Sequence, residues 1–125
     1  MKKLLYIDDD QEQLDLYKMS FAINAPQIDF YTESDPFKSI KRIREIKPDV
    51  VLLDLVMSAE MSGIDVLKLI RKQEDIKDIL IIAFTNSMLT SVVSELNSLE
   101  VTEIWEKIKG TPKSFALKIN KILNL

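Results

Sequence analysis

The sequence predicts a doubly wound α/β fold with a parallel sheet, because strand-like and helix-like stretches alternate five times along its 125 residues. The first, third and fourth strand-like runs are continuously apolar, as expected for strands that are buried on both faces of a sheet. The chain is 46% hydrophobic and close to the commonest domain size. Residues 1–125 are therefore expected to form a single domain, with no residues left for an output domain.

Five segments have the composition of strands. The fifth is interrupted by Thr102 and Glu103, and this composition suits the edge of a sheet. The predicted strands cover residues 4–7, 28–32, 50–53, 79–83 and 101–105.

Five helices are predicted between and after these strands from apolar residues at spacings of three and four. The first covers residues 11–22. The second follows the capping sequence at 34–36, carries Phe37, Ile40, Ile43 and Ile46, and ends before Pro48. The third follows Gly63. The fourth covers residues 88–99, with a stripe that is expected to be mostly core: Met88, Leu89, Val92 and Val93. The fifth follows Thr111 and Pro112.

The composition excludes several classes of site. The chain has no cysteine and no histidine, which rules out disulfides, the usual zinc sites and histidine-based acid–base catalysis. Its net charge of −3 gives no broad basic surface for nucleic acid. The apolar run near the N-terminus is too short for a signal peptide or a membrane span, so a cytoplasmic location without membrane contact is expected.

Charged and polar residues stand where the predicted strands end. Asp8 and Asp9 follow the first strand, Asp54 follows the third, and Thr85 and Lys107 follow the fourth and fifth. The carboxyl ends of parallel strands share one edge of the sheet, where ligands of such folds bind. Neighbouring carboxylates repel one another unless a cation lies among them, and an all-oxygen cluster suits Mg²⁺. This set also has the groups needed to phosphorylate a carboxylate and to stabilise the phosphoryl oxygens.

Five pieces of the chain, in this order and spacing, resemble the receiver domain of a response regulator in bacterial two-component signalling, of the single-domain chemotaxis type. They are residues 5–10 (LYIDDD), 49–57 (DVVLLDLVM), 62–63 (SG), 81–85 (IIAFT) and 104–107 (IWEK). The resemblance covers essentially the whole chain. It implies a flavodoxin-like five-stranded parallel sheet in the order 2-1-3-4-5 with five helices.

The resemblance implies roles for the acids at the predicted site. Asp54 would be the phospho-acceptor. Asp9 would bind Mg²⁺ directly, Asp8 mostly through water, and the backbone carbonyl of Val56 would complete the protein's share of the ligands. Asp10 is expected to be a helix cap or a solvated acid instead of a metal ligand.

Three further residues receive roles from the same resemblance. Thr85 would hydrogen-bond one phosphoryl oxygen, and Lys107 would pair with another. Lys109 competes for the lysine role, but Lys107 stands directly at the strand end. Thr85 and Ile104 would form the switch, with Ile104 at a position where the family usually has tyrosine or phenylalanine.

The resemblance also implies partners. A histidine kinase or a phosphotransfer protein would supply a phosphohistidine, and the face formed by the fourth helix, fifth strand and fifth helix would bind a downstream protein. The protein would be a switch, monomeric or dimerising on phosphorylation. It would not be an enzyme beyond its own phosphorylation and dephosphorylation.

Several residues depart from the family pattern. Ser58 replaces the usual proline, and the loop from Asp54 to Gly63 is one residue longer than the common form. Asn86 replaces a small residue after Thr85. Ile108 replaces the proline after the lysine, which makes a cis peptide bond there costly by about 2.5–4 kcal/mol.

Two other functions stay open at this point, and a third is disfavoured. The departures are compatible with an interaction module that is no longer phosphorylated. The sequence Asp8-x-Asp10 also resembles the opening motif of haloacid-dehalogenase-type phosphatases, in which Asp8 would be the nucleophile. A flavodoxin-like cofactor binder is disfavoured, because neither Gly63 nor Gly110 lies in a phosphate-binding loop.

Overall fold

The computed structural model describes residues 1–57, 60–86 and 89–125. Within these ranges five strands form one parallel sheet in the order β2-β1-β3-β4-β5, which confirms the expected fold. The strands are β1 Lys2–Ile7, β2 Ile28–Glu33, β3 Val50–Asp54, β4 Leu80–Thr85 and β5 Glu103–Glu106.

The same ranges contain five α-helices and two short 3₁₀ turns. The helices are α1 Gln11–Asn24, α2 Ser39–Ile46, α3 Gly63–Lys72, α4 Thr90–Ser98 and α5 Pro112–Ile122. The turns are Pro36–Lys38 and Lys107–Lys109. No helix in the described part of the chain is both long and apolar enough to cross a membrane.

The pairing register aligns the carboxyl ends of the strands. Ile7 of β1 lies opposite Leu53 of β3, and Asp54 lies opposite Phe84 of β4. The strand order reverses between β1 and β3, which is where ligands bind in open α/β sheets. The register therefore brings the residues that follow β1 next to the last residue of β3.

The sheet separates two hydrophobic cores of different character. The core beneath α1 and α5 is aromatic, and its rings meet mostly edge to face. Its buried rings are Tyr6, Tyr17, Phe21, Phe84, Trp105 and Phe115. The core beneath α2, α3 and α4 is built from aliphatic side chains. Because residues of one strand alternate between faces, β1 and β3 contribute to both cores.

Capping residues set several helix starts. The Asp10 side chain accepts hydrogen bonds from the backbone N–H groups of Glu12 and Gln13, so of the two expected roles, cap or solvated acid, the structure shows the cap of α1. Ser62 and Asp65 cap each other at the start of α3, and Thr111 caps α5.

The second predicted helix differs from the structure at its start. Asp35 caps a 3₁₀ turn, and α2 begins only at Ser39. A 3₁₀ turn has three residues per turn instead of 3.6, so the helical spacing does not extend back to Phe37. Phe37 therefore lies in the 3₁₀ turn and not in α2, and it is 59% exposed.

The fourth helix is shorter and less buried than predicted. It begins at Thr90, and Leu89 before it is 65% exposed. Val92 and Val93 are half-buried, and Leu96 is the buried residue of this helix. The prediction that the stripe of α4 is mostly core is therefore wrong for Leu89, while Met88 lies outside the described residues.

Arg71 at the end of α3 ties two distant loops together. Its guanidinium donates to the backbone carbonyls of Lys77 and Ile79 before β4, and to those of Leu99 and Glu100 after α4, at 2.5–3.0 Å. Glu100 has a left-handed backbone with φ 57°. One charged side chain thus satisfies four carbonyl oxygens at the edge of the sheet opposite the acids.

Replacing Arg71 with methionine keeps much of the aliphatic stem but removes all four donors. We expect the free energy of unfolding to fall by about 2–3 kcal/mol, because the carbonyls lose charge-assisted hydrogen bonds. Urea unfolding measures this change. The matched control is Lys72→Met, at an exposed neighbouring position, and equal stability of the two variants would contradict the prediction.

Candidate functional site

Three carboxylates meet at the carboxyl ends of β1 and β3. One oxygen each from Asp8, Asp9 and Asp54 lie within 4.8 Å of one another, a spacing that could hold a metal ion. Asp8 and Asp54 are only 1% and 4% exposed, whereas Asp9 is exposed to solvent. The cluster is therefore a buried pair of acids with a third acid at its opening.

Lys107 supplies a positive charge to this cluster. Its ammonium group lies 3.2 Å from Oδ1 of Asp54 and 3.4 Å from Oδ2 of Asp8, and its side chain is 19% exposed. It also stands 5.4 Å from the centre of the Phe84 ring. Lys109 instead pairs with Glu106 and is 73% exposed, so the structure places Lys107 rather than Lys109 at the acids.

Asp8 is held by two further donors. The backbone N–H of Asp10 donates to Oδ1 at 2.9 Å, and the hydroxyl of Tyr6 donates to Oδ2 at 2.6 Å. Sequence reasoning missed Tyr6 and treated it as one member of an apolar strand. The available signal was that Tyr6 lies two residues before Asp8, since residues two apart on a strand point to the same face.

The surroundings of Asp54 oppose its ionisation. Burial and the nearby charge of Asp8 raise the pKa of Asp54 to about 7, while Lys107 and the backbone N–H of Val56 favour the charged form. The Val56 N–H donates to Oδ1 of Asp54 at 3.2 Å. One ammonium group thus lies beside two buried carboxylates and does not balance their charge. The ligand atoms are all oxygens, a set that fits a divalent cation such as Mg²⁺.

Gly63 allows the chain to return closely behind Asp54. Its N–H donates to the carbonyl of Leu55 at 3.0 Å. A Cβ atom at this position would collide with the backbone carbonyl of Asp54 and approach Cα of Leu55 to 2.6 Å. Any larger residue at 63 would therefore displace the end of β3 that carries Asp54.

Thr85 and Ile104 lie on the same face of the sheet. Thr85 is the last residue of β4, is 2% exposed and lies one residue beyond the partner of Asp54. Ile104 is half-buried on β5 opposite Ala83, two residues before Thr85. The structure brings Thr85 to the edge that carries the acids, and the switch roles of both residues stay predictions.

Two of the positions that depart from the family pattern, Asn86 and Ile108, follow strands that end at this edge. Asn86 is exposed directly after Thr85, and Ile108 is 75% exposed in the turn after β5. No cis peptide bond occurs in the described ranges, so the bond between Lys107 and Ile108 is trans. Ser58 and the inserted length of its loop involve residues outside those ranges.

The pKa of Asp54 predicts a pH-dependent effect of Asp54→Asn. In the metal-free protein the folded-state pKa of about 7 lies above the ordinary value, so ionising Asp54 costs stability as pH rises toward 7. We expect the variant to be more stable than the wild type by about 1–3 kcal/mol near pH 8, and the gain to shrink toward pH 4.5.

Urea unfolding with a chelator at the two pH values measures this difference. Asp10→Asn is the control, because asparagine also caps helices well and Asp10 is exposed. If the wild type is more stable than Asp54→Asn near pH 8, the ionisation of Asp54 does not destabilise the fold and the prediction fails.

Comparison with known proteins identifies the family and the fold. The family model for the response regulator receiver domain matches residues 4–109. The DNA-binding response regulator MtrA of Mycobacterium tuberculosis is 26% identical over 87 residues, which cover 70% of this chain and 37% of that protein. The matched segment is thus little more than a third of this relative.

Solved structures share the fold at low sequence identity. The signal receiver domain of a DNA-binding response regulator from Colwellia psychrerythraea 34H has a TM-score of 0.85 at 24% identity, with complete coverage of both chains. The chemotaxis protein CheY4 of Vibrio cholerae has a TM-score of 0.83 at 19% identity, covering 97% of this chain and 98% of that one. With the family model matching most of its length, the chain belongs to the response regulator receiver domain family.

Proposed function

We propose that this receiver domain is a phosphorelay switch in which Asp54 accepts a phosphoryl group from the phosphohistidine of a histidine kinase or phosphotransfer protein. The observation that carries the proposal is the position of the Lys107 ammonium, 3.2 Å from Asp54, at the edge where the three carboxylates meet. This arrangement supplies a nucleophile, a cation site and a positive charge for phosphoryl oxygens within one pocket.

Asp54 is a better nucleophile candidate than Asp8. Both oxygens of Asp8 already accept hydrogen bonds, from the Asp10 N–H and from the Tyr6 hydroxyl. Asp54 stands at the strand end with Lys107 and the Val56 N–H on its Oδ1. These contacts support a role for Asp8 in binding the cation. They disfavour the hypothesis of a phosphatase in which Asp8 is the nucleophile.

The transfer itself is a substitution at phosphorus. A carboxylate oxygen of Asp54 forms a bond to phosphorus, and the bond between phosphorus and the partner's histidine nitrogen breaks. The electron pair of the broken bond stays on the imidazole, which takes a proton from solvent. In this proposal Lys107 pairs with the phosphoryl oxygens, and Thr85 at the end of β4 donates a hydrogen bond to them.

The acids fit Mg²⁺ as the resident cation. Asp9 and Asp54 would bind it directly, Asp8 mostly through water, and the backbone carbonyl of Val56 would be the remaining protein ligand. When bound, Mg²⁺ neutralises negative charge on the carboxylates and on a phosphoryl group. Asp9 is the exposed member of the cluster, which suits a ligand at the opening of the site.

The proposed output surface is the face formed by α4, β5 and α5. Thr85 and Ile104 share one side of the sheet with Leu96, the buried residue of α4. Partial exposure of Val92 and Val93 leaves apolar surface on α4. We propose that phosphorylation shifts the population of this face toward a form that binds a downstream protein. The domain would act as a monomer or as a dimer formed on phosphorylation.

Phosphorylation by acetyl phosphate with Mg²⁺ tests the nucleophile. We expect intact-mass spectrometry to show one phosphoryl group on the wild type and on the Asp10→Asn control, and none on Asp54→Asn. Labelling that survives Asp54→Asn but is lost in Asp8→Asn would establish the phosphatase-type nucleophile instead. If the wild type is not labelled and does not respond to beryllofluoride, the domain is not phosphorylated and the hypothesis of an interaction module is favoured.

Lys107→Met tests the lysine role, with Lys109→Met as the matched control. We expect the rate of phosphorylation to fall by on the order of 100-fold in Lys107→Met, because a donor to the phosphoryl oxygens is lost. Lys109→Met is expected to stay near the wild-type rate, since Lys109 pairs with Glu106. Equal rates for the two variants would remove Lys107 from the mechanism.

A further inference from the structure

The Tyr6 hydroxyl is fixed in place by the core around it. Tyr6 is fully buried, and its ring meets Tyr17, Phe30 and Phe84 at centroid distances of 5.2, 6.4 and 6.2 Å, each near edge to face. Rings packed in this way have little freedom to rotate their polar end elsewhere. The hydroxyl therefore stays directed at Asp8, 2.6 Å from Oδ2.

Asp8 needs the Tyr6 hydroxyl as a donor because the positive charge beside it, on Lys107, is shared with Asp54. The Lys107 ammonium lies between two carboxylates, at 3.4 Å from Asp8 and 3.2 Å from Asp54. The Asp10 N–H serves only Oδ1 of Asp8. Without the phenol, Oδ2 of a 1% exposed carboxylate would depend on Lys107 alone among the hydrogen-bond donors found in the described ranges.

We propose that Tyr6 is a positioning residue of the acidic site, whose hydroxyl holds Asp8 in the orientation used for the divalent cation and leaves Lys107 available to Asp54. This inference rests on the proposed function, since it concerns the same site. A phenol is suited to the task because it donates a strong hydrogen bond to a carboxylate without adding a positive charge that would repel the cation.

The expected size of the effect follows from other metal sites. Residues that hydrogen-bond a metal-binding carboxylate orient it, and their loss typically weakens metal binding or activity by about 10- to 100-fold. In Tyr6→Phe the ring and its edge contacts are kept, so the change is confined to the hydroxyl. In the metal-free variant Asp8 then turns or draws Lys107 toward itself. Saturating Mg²⁺ would reverse this movement, so the loss is expected in the affinity for Mg²⁺ and not in the rate at saturating Mg²⁺.

Isothermal titration of Mg²⁺ into the full chain tests the inference without any phosphorylation. We expect the Mg²⁺ dissociation constant of Tyr6→Phe to rise at least about tenfold over the wild type. The matched control is Tyr17→Phe, which removes a hydroxyl from a buried ring of the same core, 5.2 Å from Tyr6. We expect this control to stay within about twofold of the wild type, because in the described ranges the Tyr17 hydroxyl makes no hydrogen bond to a carboxylate, although the charge of Asp8 acts on it.

The Mg²⁺ dependence of phosphorylation separates positioning from a general structural effect. In Tyr6→Phe the Mg²⁺ concentration for half-maximal rate should rise with the dissociation constant, while the rate at saturating Mg²⁺ stays within about threefold of the wild type. An unchanged Mg²⁺ affinity in Tyr6→Phe, or an equal loss in Tyr17→Phe, overturns the inference.

One measurement on the wild type keeps the inference testable if Tyr6→Phe does not fold. The Tyr6 hydroxyl proton, assigned through contacts to its own ring, should give a downfield proton resonance that exchanges slowly and shifts when Mg²⁺ is added. Absence of such a resonance overturns the inference alone. Absence of any Mg²⁺ binding to the wild type overturns both the inference and the proposed cation site.

Discussion

The structure depends on one electrostatic constraint, the confinement of two almost completely buried carboxylates, Asp8 and Asp54, beside each other. Two ionised carboxylates this close repel, and burial adds the cost of removing them from water. Lys107 offsets part of that cost, and the raised pKa of Asp54 shows that part of it remains. The fold therefore holds a site with more negative than positive charge, which suits the binding of a divalent cation.

The rest of the fold supports this confinement. Because β1 and β3 are buried on both faces, their carboxyl ends cannot move apart without disturbing both cores. Gly63 lets the chain pass directly behind Asp54, and the Asp10 cap joins Asp8 to the start of α1. The aromatic core beneath α1 and α5 supplies the wall of the site through Tyr6 and Phe84, on which Lys107 also rests. Rigid surroundings are what a site for phosphoryl transfer requires, because its catalysis is mostly positioning.

The other side of the sheet is built differently. Its core is aliphatic, and α4 contributes one buried residue, Leu96, while Val92 and Val93 of the same helix are half-buried. Few buried contacts make a helix easier to shift than its neighbours. Arg71 fixes the far end of this region by binding the carbonyls of Leu99 and Glu100. A helix tied firmly at one end and packed lightly along its length is a suitable moving part for a phosphorylation switch.

Much of this could be predicted from the sequence, because local patterns record burial. The alternation of apolar runs and helical spacing predicted the fold class, and the acids at two strand ends indicated the position of the site. Asp10 caps α1, which is one of the roles expected for it, and Lys107 lies near Asp54 at the strand ends, where the sequence predicts it. The roles of the site residues in phosphorylation are predictions of the family resemblance, and the experiments above test them.

By itself, the sequence determined which residue types stand at the carboxyl ends of the strands, because strand ends follow from local hydrophobicity. Only the tertiary structure decided which of these residues touch. The acids of the opening pattern are close because β1 and β3 pair in one register, and a shift of one residue would turn Asp54 to the other face. The spacing of Tyr6 and Asp8 is local, but the aromatic core fixes the direction of the Tyr6 hydroxyl. The sharing of Lys107 between two acids and the exposure of Leu89 depend on long-range packing, which no local pattern of residues encodes.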